Sequence, residues 1–202
     1  MEFMEYQLTS DALCMGEKVQ GGIFRPCDTK TIRYSLITGA LRAHTGILNL
    51  HAAGYLEEEE GFNESQYLVY SPQERMTGVS KVPITVQFIT NVWGKIYIPK
   101  EDFSLPKNFT IAMGALKSRG FGRCQLQCIG LNKGEFLSKP GQLRTRIPLD
   151  LVNFFDIRKV ITPNYGYLFR PTSLTDGHYV LSLFEGSLVA GPKILVKEAA
   201  YG

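Results

Sequence analysis

The residues best suited to chemistry stand together at positions 114–123, which read Gly-Ala-Leu-Lys-Ser-Arg-Gly-Phe-Gly-Arg. Glycine permits tight turns and a close approach of the backbone to a ligand, and the backbone N–H groups of such a turn can form an anion-binding nest. The polar side chains that could contribute are Lys117, Ser118, Arg119 and Arg123. Phe121 could stack on a base or anchor the loop in the core. The stretch predicts phosphate binding, and a basic hairpin turn without a ligand is the alternative.

The spacing of these glycines argues against two common phosphate-binding motifs. Gly114, Gly120 and Gly122 match neither the Walker A loop nor the Gly-x-Gly-x-x-Gly fingerprint of dinucleotide-binding folds. Nucleotide hydrolysis and dinucleotide binding are therefore disfavoured, and no cofactor is expected. We expect backbone geometry, rather than strand or helix propensity, to require glycine at positions 120 and 122.

The thiol and acidic side chains do not predict a metal centre. Cys14 and Cys27 are too far apart for the paired spacing of zinc sites, and Cys124 and Cys128 fit that spacing only loosely. The second pair shares one face of an apparent strand, so we expect these two thiols to be buried. Asp28 is a single acid in a loop, and one carboxylate is weak support for a metal site.

Charge is distributed unevenly along the chain. Residues 1–80 hold 6 Lys and Arg against 11 Asp and Glu, a net charge of −5, whereas residues 81–170 hold 14 against 5, a net charge of +9. Residues 171–202 hold 2 against 3, a net charge of −1. A basic centre between acidic or neutral ends indicates a positive face for a polyanion. Ordinary solvated surface charge is the alternative.

The bulk composition is that of a globular protein. With 202 residues, 44% hydrophobic and 20% charged, the chain suits one domain with a real core rather than a disordered segment. No apolar stretch reaches the roughly 20 residues of a membrane helix. The acidic start, residues 1–5, lacks the pattern of a signal peptide. We therefore expect a cytoplasmic protein.

The elements that would position the loop are mostly strands. Alternation and β-branched residues predict strands at 4–8, 31–37, 67–70, 84–90, 92–98, 109–113, 124–129, 165–169, 179–184 and 193–197. The stretch 149–155 fits a short helix or a strand. A helical stretch is predicted to begin with Thr38 as N-cap and to end at Gly54. Residues expected to share its apolar face are Ala40, Leu41, His44, Ile47 and Leu48. The fold class is α+β, with the basic loop between two strands.

Two segments carry a resemblance to a known family. The run Lys117–Arg123, directly before a strand, resembles the glycine-rich loop of the CRISPR-associated RAMP superfamily. Ser35–Arg42 resembles the segment that leads into the first helix of those proteins, with Thr38 and Gly39 where Gly-Ser is usual. The resemblance implies a ferredoxin-like, RRM-type RAMP domain with additional β-hairpins. It would span residues 1–202 as a single domain, with 130–202 as an elaborated, strand-rich C-terminal part.

The same resemblance implies a function. It implies binding to CRISPR RNA within an effector ribonucleoprotein complex of antiviral defence. The length of the chain and its long tail after the loop are most similar to the Cas-five-type subunit, which holds the 5′ handle of the guide. A Cas-seven-type backbone subunit is the alternative. Implied partners are CRISPR RNA, a backbone subunit and a large subunit, with target nucleic acid as a further candidate.

In such a fold a second basic group could join the RNA site. Lys30, Arg33 and Arg42 surround the predicted helix entry and could lie near the glycine loop. Ordinary surface charge is the alternative. Trp93, Tyr165 and Tyr167 are expected to be core or sheet residues rather than base-stacking platforms.

Catalysis is the less favoured expectation. Processing endonucleases of the same superfamily, of the Cas-six type, often carry a general-base histidine near the first helix, where His44 stands. A histidine can take the 2′-OH proton in metal-independent RNA cleavage. Because His44 falls on the predicted apolar face, a packed or partly buried histidine is the preferred interpretation, and a non-catalytic subunit is expected. A metal-independent endoribonuclease is one alternative, and a loop that binds a phosphorylated metabolite is another.

Overall fold

The computed structural model describes residues 1–16, 23–74, 76–172 and 176–198. In these ranges the chain forms one α-helix, α1 at Tyr34–Thr45, and two short 3-10 helices at Lys117–Arg119 and Leu149–Leu151. The strands are β1 Glu2–Leu13, β2 Phe24–Arg25, β3 Thr31–Ile32, β4 Ala53–Leu56, β5 Glu64–Tyr70, β6 Ile84–Pro99, β7 Asn108–Ala112, β8 Arg123–Lys133, β9 Gly141–Leu143, β10 Ile147–Pro148, β11 Lys159–Thr162, β12 Tyr165–Pro171, β13 Gly177–Leu183, β14 Leu188–Ala190 and β15 Val196–Glu198. The α+β class is confirmed.

The largest sheet is organised around β1. Its strands follow the order β3-β4-β6-β1-β8-β7, and β2 and β5 pair with the first half of β6. Both neighbours of β1 run antiparallel to it, so that Thr9 faces Trp93 on β6 and Gln125 on β8. The helix α1 follows β1 and precedes β4 along the chain. The central order β4-β6-β1-β8 with this helix is a ferredoxin-like arrangement.

Two hydrophobic cores lie on opposite faces of this sheet. Because successive strand residues point to opposite faces, Phe3 and Met4 of β1 enter different cores. The first core joins Met4, Tyr6 and Leu8 to the helix residues Ile37 and Leu41. The second joins the other face of the sheet to the chain beyond Leu137. Its members from that part are Leu143, Ile147, Phe155, Ile157, Leu168, Leu183, Val189, Ile194, Leu195 and Val196.

The last third of the described chain builds two small sheets. One has the strand order β10-β13-β12, and the other has the order β11-β14-β9-β15. Both are made of antiparallel pairs and contain the additional hairpins that the resemblance implies. They fall within the part predicted to be an elaboration, residues 130–202. That the whole chain is one domain stays a prediction.

The predicted helix boundaries were wrong at both ends. Arg33 is extended and α1 begins at Tyr34, so Thr38 lies inside the helix. The Thr38 hydroxyl instead bonds both the N–H and the carbonyl of Ala52, at 3.2 and 3.3 Å. Gly46 adopts the left-handed conformation (φ +75°) and ends the helix. Leu48, which was predicted to lie on the apolar face, is therefore beyond the helix and 80% exposed.

Several strand boundaries also differ from the predictions. The predicted strands 84–90 and 92–98 form a single strand, β6, in which Asn91 takes a positive φ of 49°. The stretch 149–155 begins as a 3-10 helix, and only residues 31–32 of the predicted strand 31–37 form a strand. All four cysteines are free thiols. Cys124 is buried in the first core, as expected, whereas Cys128 is only partly buried against it. Within the described ranges, no helix is long and apolar enough to cross a membrane.

A half-buried polar cluster fastens α1 to the chain beyond it. Arg42 Nη2 approaches His51 Nδ1 at 3.4 Å, and the Tyr34 hydroxyl bonds the same nitrogen. Because arginine can only donate, Nδ1 must accept and the ring must be neutral. Burial, together with the charges of Arg42 and Arg170, lowers the pKa of His51 to about 4.

This cluster predicts a pH dependence of stability. An unfolded histidine titrates near pH 6.5, so between about pH 6 and pH 4 the unfolded chain binds a proton that the folded chain does not. The contribution of neutral His51 to the free energy of unfolding is therefore fully present above pH 6.5. It is lost as the pH falls toward 4, with a slope of about 1.4 kcal/mol per pH unit. The slope is measured by chemical denaturation at a series of pH values.

The variant His51→Gln should lose this part of the slope, whatever its stability at neutral pH. His178→Gln, which changes an exposed histidine of β13, is the matched control and should keep the slope of the parent. An unchanged slope in His51→Gln would contradict the assignment.

Candidate nucleic-acid interface

The basic glycine loop is the hairpin connection between β7 and β8. Four of its residues have positive φ: Gly114 (85°), Leu116 (57°), Gly120 (89°) and Gly122 (77°). The short helix Lys117–Arg119 lies between the left-handed residues Leu116 and Gly120. The sequence expectation that this segment turns tightly between two strands is confirmed.

Backbone hydrogen bonds attach the loop to the end of β1. The N–H of Gly122 donates to the Ala12 carbonyl at 2.8 Å, and the N–H of Ala115 donates to the Cys14 carbonyl at 2.9 Å. A Cβ on Gly122 would overlap the Met113 carbonyl, whereas a Cβ on Gly120 would meet no atom within 4 Å. Glycine at 122 is therefore required by both conformation and space, and glycine at 120 by conformation alone.

Many backbone N–H groups of the loop are already engaged in hydrogen bonds within the chain. The N–H groups of Ala115, Arg119, Gly120 and Gly122 all donate to carbonyls of the chain. Those of Lys117, Ser118 and Phe121 donate to no acceptor in the described chain. An anion-binding nest of the predicted kind would thus have to use these remaining groups, and most of the attraction to a phosphate comes from side chains.

The loop carries three exposed cationic side chains. Lys117, Arg119 and Arg123 are exposed and form no ion pair with any carboxylate in the described ranges. The Arg119 guanidinium carbon lies 4.3 Å from the centre of the Tyr70 ring, at the end of β5. The half-buried Phe121 packs edge-on against Phe88 of β6 at 4.9 Å. Of the two roles predicted for Phe121, this contact favours the anchor.

An open groove of about 700 Å³ runs beside the loop. Its polar lining residues are Ser10, Asp11, His44, Thr110, Lys117 and Arg123. His44 is exposed, contrary to the expected packed or partly buried histidine, and its ring stacks on that of Phe109 with the centres 5.1 Å apart. The reason is that α1 buries the face of Ile37 and Leu41, and His44 near its end lies on the rim.

The thiol of Cys124 lies just beneath the cations. Burial raises the pKa of Cys124 to about 11, although a hydrogen bond from Ser10 and the charge of Lys117 act in the opposite direction. At neutral pH this thiol is therefore uncharged. The groove takes its positive charge from Lys117 and Arg123, with Asp11 as an acid at its edge.

The second basic group does not gather around the loop. Lys30 and Arg33 flank β3, and the strands β4, β6 and β1 separate β3 from β8. Four strand spacings correspond to roughly 19 Å. The Arg33 Nε atom is 2.6 Å from Asp28 Oδ2, and Arg146 pairs with the same carboxylate at 3.2 Å. Lys30 remains exposed on the far edge of the sheet.

Arg42 also has a structural partner. Its Nε donates to the Leu50 carbonyl at 2.8 Å, which ties the helix to the chain that follows it. Asp28, the candidate acid of the sequence analysis, forms ion pairs with Arg33 and Arg146. Among the described residues, no group of three or more His, Cys, Asp or Glu is placed to hold a metal ion.

Sequence reasoning missed several groove residues. Ser10 and Asp11 reach the groove because β1 pairs with β8, and Tyr70 reaches Arg119 because β5 pairs with β6. These pairings join segments that are far apart along the chain. No local residue spacing predicts these pairings, so the position of these residues beside the loop could be predicted only from the strand order.

The two glycines should differ when each is replaced by alanine. Gly120→Ala carries the cost of a left-handed residue alone, about 1–2 kcal/mol. Gly122→Ala adds an overlap with backbone that cannot yield cheaply, so the total loss should be on the order of 3–4 kcal/mol. Urea denaturation measures both losses, and equal losses for the two variants would contradict the geometry.

Comparison with known proteins gave a match in structure but not in sequence. No protein-family model matches the chain, and no curated protein sequence matches it either. A structural match comes from a chain in the cryo-EM structure of the Type III-B Cmr-beta bound to cognate target RNA and AMPPnP. The TM-score is 0.57 at 11% sequence identity, over 92% of this chain and 86% of that chain. The two chains share their fold.

Proposed function

We propose that this chain is a non-catalytic, RNA-binding subunit of a CRISPR effector ribonucleoprotein, and that it grips the guide through the loop 114–123. The observation that carries the proposal is a set of three exposed cations on a loop attached to the end of β1. None of the three forms an ion pair with a carboxylate of the residues that the structure describes. The shared fold with a Cmr subunit supports the same assignment, because that complex is described with RNA bound.

The chemistry of the loop suits a phosphate backbone rather than a base sequence. Lys117 and Arg123 line one groove, so two cations can neutralise neighbouring phosphates and release their counterions. Arg119 is held over the Tyr70 ring, which limits the entropy it loses on binding. Ser118 is exposed beside them and adds a hydroxyl donor. Contacts of this kind position a strand without selecting its bases.

The finer assignment is a Cas-five-type subunit that holds the 5′ handle of the guide. It rests on the resemblance of the loop and on the long chain that follows it. A backbone subunit lining the guide is the alternative. The two differ in RNA preference, because a handle-binding subunit distinguishes an RNA that carries the repeat-derived 5′ end from one that lacks it. The partners proposed are the guide RNA, a backbone subunit and a large subunit.

The loop predicts a salt-dependent loss of RNA affinity on mutation. The double variant Lys117→Ala/Arg123→Ala should weaken binding of repeat-containing RNA by about tenfold at low salt. The slope of log affinity against log salt should become shallower by about 1.4, because two single-strand phosphate contacts are lost. Fluorescence anisotropy at several salt concentrations measures both quantities.

The matched control is Lys139→Ala/Lys159→Ala. It removes two exposed lysines that form no ion pair in the described chain and lie outside the groove. This control should bind nearly as the parent does. If both double variants lose affinity and slope equally, the attraction is a property of net charge and not of the loop.

A second candidate function is metal-independent RNA cleavage. The observation that favours it is the exposed His44, which lines the same groove as Lys117 and Arg123. A neutral imidazole there could accept a 2′-OH proton while the cations stabilise the developing phosphorane charge. This catalytic role competes with the stacking of His44 on Phe109, which holds the imidazole ring against the sheet.

We expect the purified chain to leave repeat RNA intact in the presence of EDTA. The expected result is an unchanged RNA ladder for the parent and for His44→Ala alike, on a denaturing gel. Cleavage at one position that disappears both in His44→Ala and on 2′-deoxy substitution of the RNA would replace the subunit proposal with the nuclease.

A further inference from the structure

The hairpin β12–β13 carries an apolar face that no part of the described chain covers. The side chains that alternate along its outer side are Tyr165 (53% exposed), Tyr167 (64%), Phe169 (43%), Tyr179 (64%) and Leu181 (40%). The register sets them side by side, since Tyr167 faces Leu181 and Phe169 faces Tyr179. An antiparallel hairpin packed on one face normally presents polar residues on the other. Tyr165 and Tyr167, expected to be core or sheet residues, are sheet residues on the surface.

The inner side of the same hairpin is firmly anchored. Leu168 is buried in the second core, and Ser182 of β13, which faces Gly166, is buried on the same side. Arg170 pairs with both carboxylate oxygens of Asp150, at 2.7 and 2.8 Å. On the outer side the rings of Phe169 and Tyr179 pack edge-on with their centres 5.6 Å apart. The outer aromatics are therefore held in place before any partner arrives, which lowers the entropy lost on binding.

We propose that this aromatic hairpin face, residues 165, 167, 169, 179 and 181, is a docking surface for an uncharged, apolar patch of another protein. The proposal extends the function proposed above, in that the partner would be a neighbouring subunit of the same ribonucleoprotein. Exposed aromatic clusters of this kind supply the central contacts of protein interfaces.

Charge argues for protein rather than RNA as the occupant. Residues 165–183 contain no lysine and only one arginine, Arg170, which is engaged with Asp150. Among its described residues, the hairpin itself therefore offers an RNA strand on this face no unengaged Lys or Arg to neutralise its phosphates. The unpaired cations Lys117, Arg119 and Arg123 belong to the β7–β8 loop instead.

Area argues against a second copy of this chain as the occupant. Five side chains, each about half exposed, offer roughly 500 Å². A symmetric pair of such faces would bury roughly 1,000 Å² in total, well below the 2,000 Å² or more of obligate homodimers. The face therefore fits the apolar centre of a larger contact with a different protein, whose rim lies on other parts of the surface.

The test uses the full chain, tagged and expressed in its native cell, and isolated with its complex. In the variant Tyr167→Ser/Tyr179→Ser, recovery of one protein subunit should fall about tenfold relative to the chain itself. The recovered RNA should stay at the level of the parent. A photo-crosslinking amino acid at position 167 of an otherwise unchanged chain should join to that same subunit. The control Tyr67→Ser/Val69→Ser removes two equally exposed apolar residues of β5 and should retain it.

Other outcomes overturn the inference. They are a patch variant that keeps every subunit, a crosslink to RNA, and a crosslink to a second copy of the chain. Because a seryl variant could also unfold the hairpin, its thermal unfolding is compared with the parent, and the crosslink at 167 stands independently of it. If the parent carries no RNA at all, the proposed function fails, while the crosslinked species still decides what the aromatic face binds.

Discussion

The hydrogen bonding of β1 on both edges is the constraint on which the rest of the structure depends. β1 pairs with β6 from Phe3 to Leu13 and with β8 from Glu2 to Thr9. The carbonyl of Ala12, in β1, then accepts the N–H of Gly122, and the carbonyl of Cys14, the residue after β1, accepts the N–H of Ala115. One strand thus joins the halves of the ferredoxin-like sheet and fastens the basic loop. Glycine at 122 follows from this, because only a residue without Cβ fits between that end of β1 and the Met113 carbonyl.

A polar network joins the second face of the sheet to the C-terminal part of the chain. Glu5 of β1 is buried, and it accepts from Asn132 at 2.9 Å and pairs with Lys95 at 3.4 Å. Lys95 reaches Glu57, which also binds Arg144 at 2.9 Å. A carboxylate removed from water is costly unless it is paired and hydrogen-bonded. The network therefore constrains how residues beyond 134 can sit on the sheet, and apolar packing alone would not.

The sequence predicted the features that are local and left out those that are not. The alternation in 84–90 and the glycines of 114–122 identified a strand and a turn correctly, because both depend on neighbouring residues. The predicted start of the helix was wrong because Thr38, a residue type that favours the N-cap, lies inside α1 and bonds to Ala52. Arg33 and Arg42 were grouped with the loop although each has a nearby partner, Asp28 and Leu50. The exposure of the aromatic hairpin face could not be predicted, because Tyr165, Tyr167 and Phe169 form the more apolar side of β12, which alternation assigns to the core.

The basic centre of the chain has two physical origins, which the net charge of +9 does not separate. Six of its fourteen cations form ion pairs with carboxylates of the described residues. They are Lys95, Lys100, Arg144, Arg146, Arg158 and Arg170. The acids Glu2, Glu5, Asp28 and Glu57 come from the acidic first 80 residues. Much of the charge asymmetry along the sequence therefore reflects pairing between segments that meet in the fold. The charge left for a polyanion is concentrated in one loop at the end of β1, where three cations within seven residues have no carboxylate partner among the described residues.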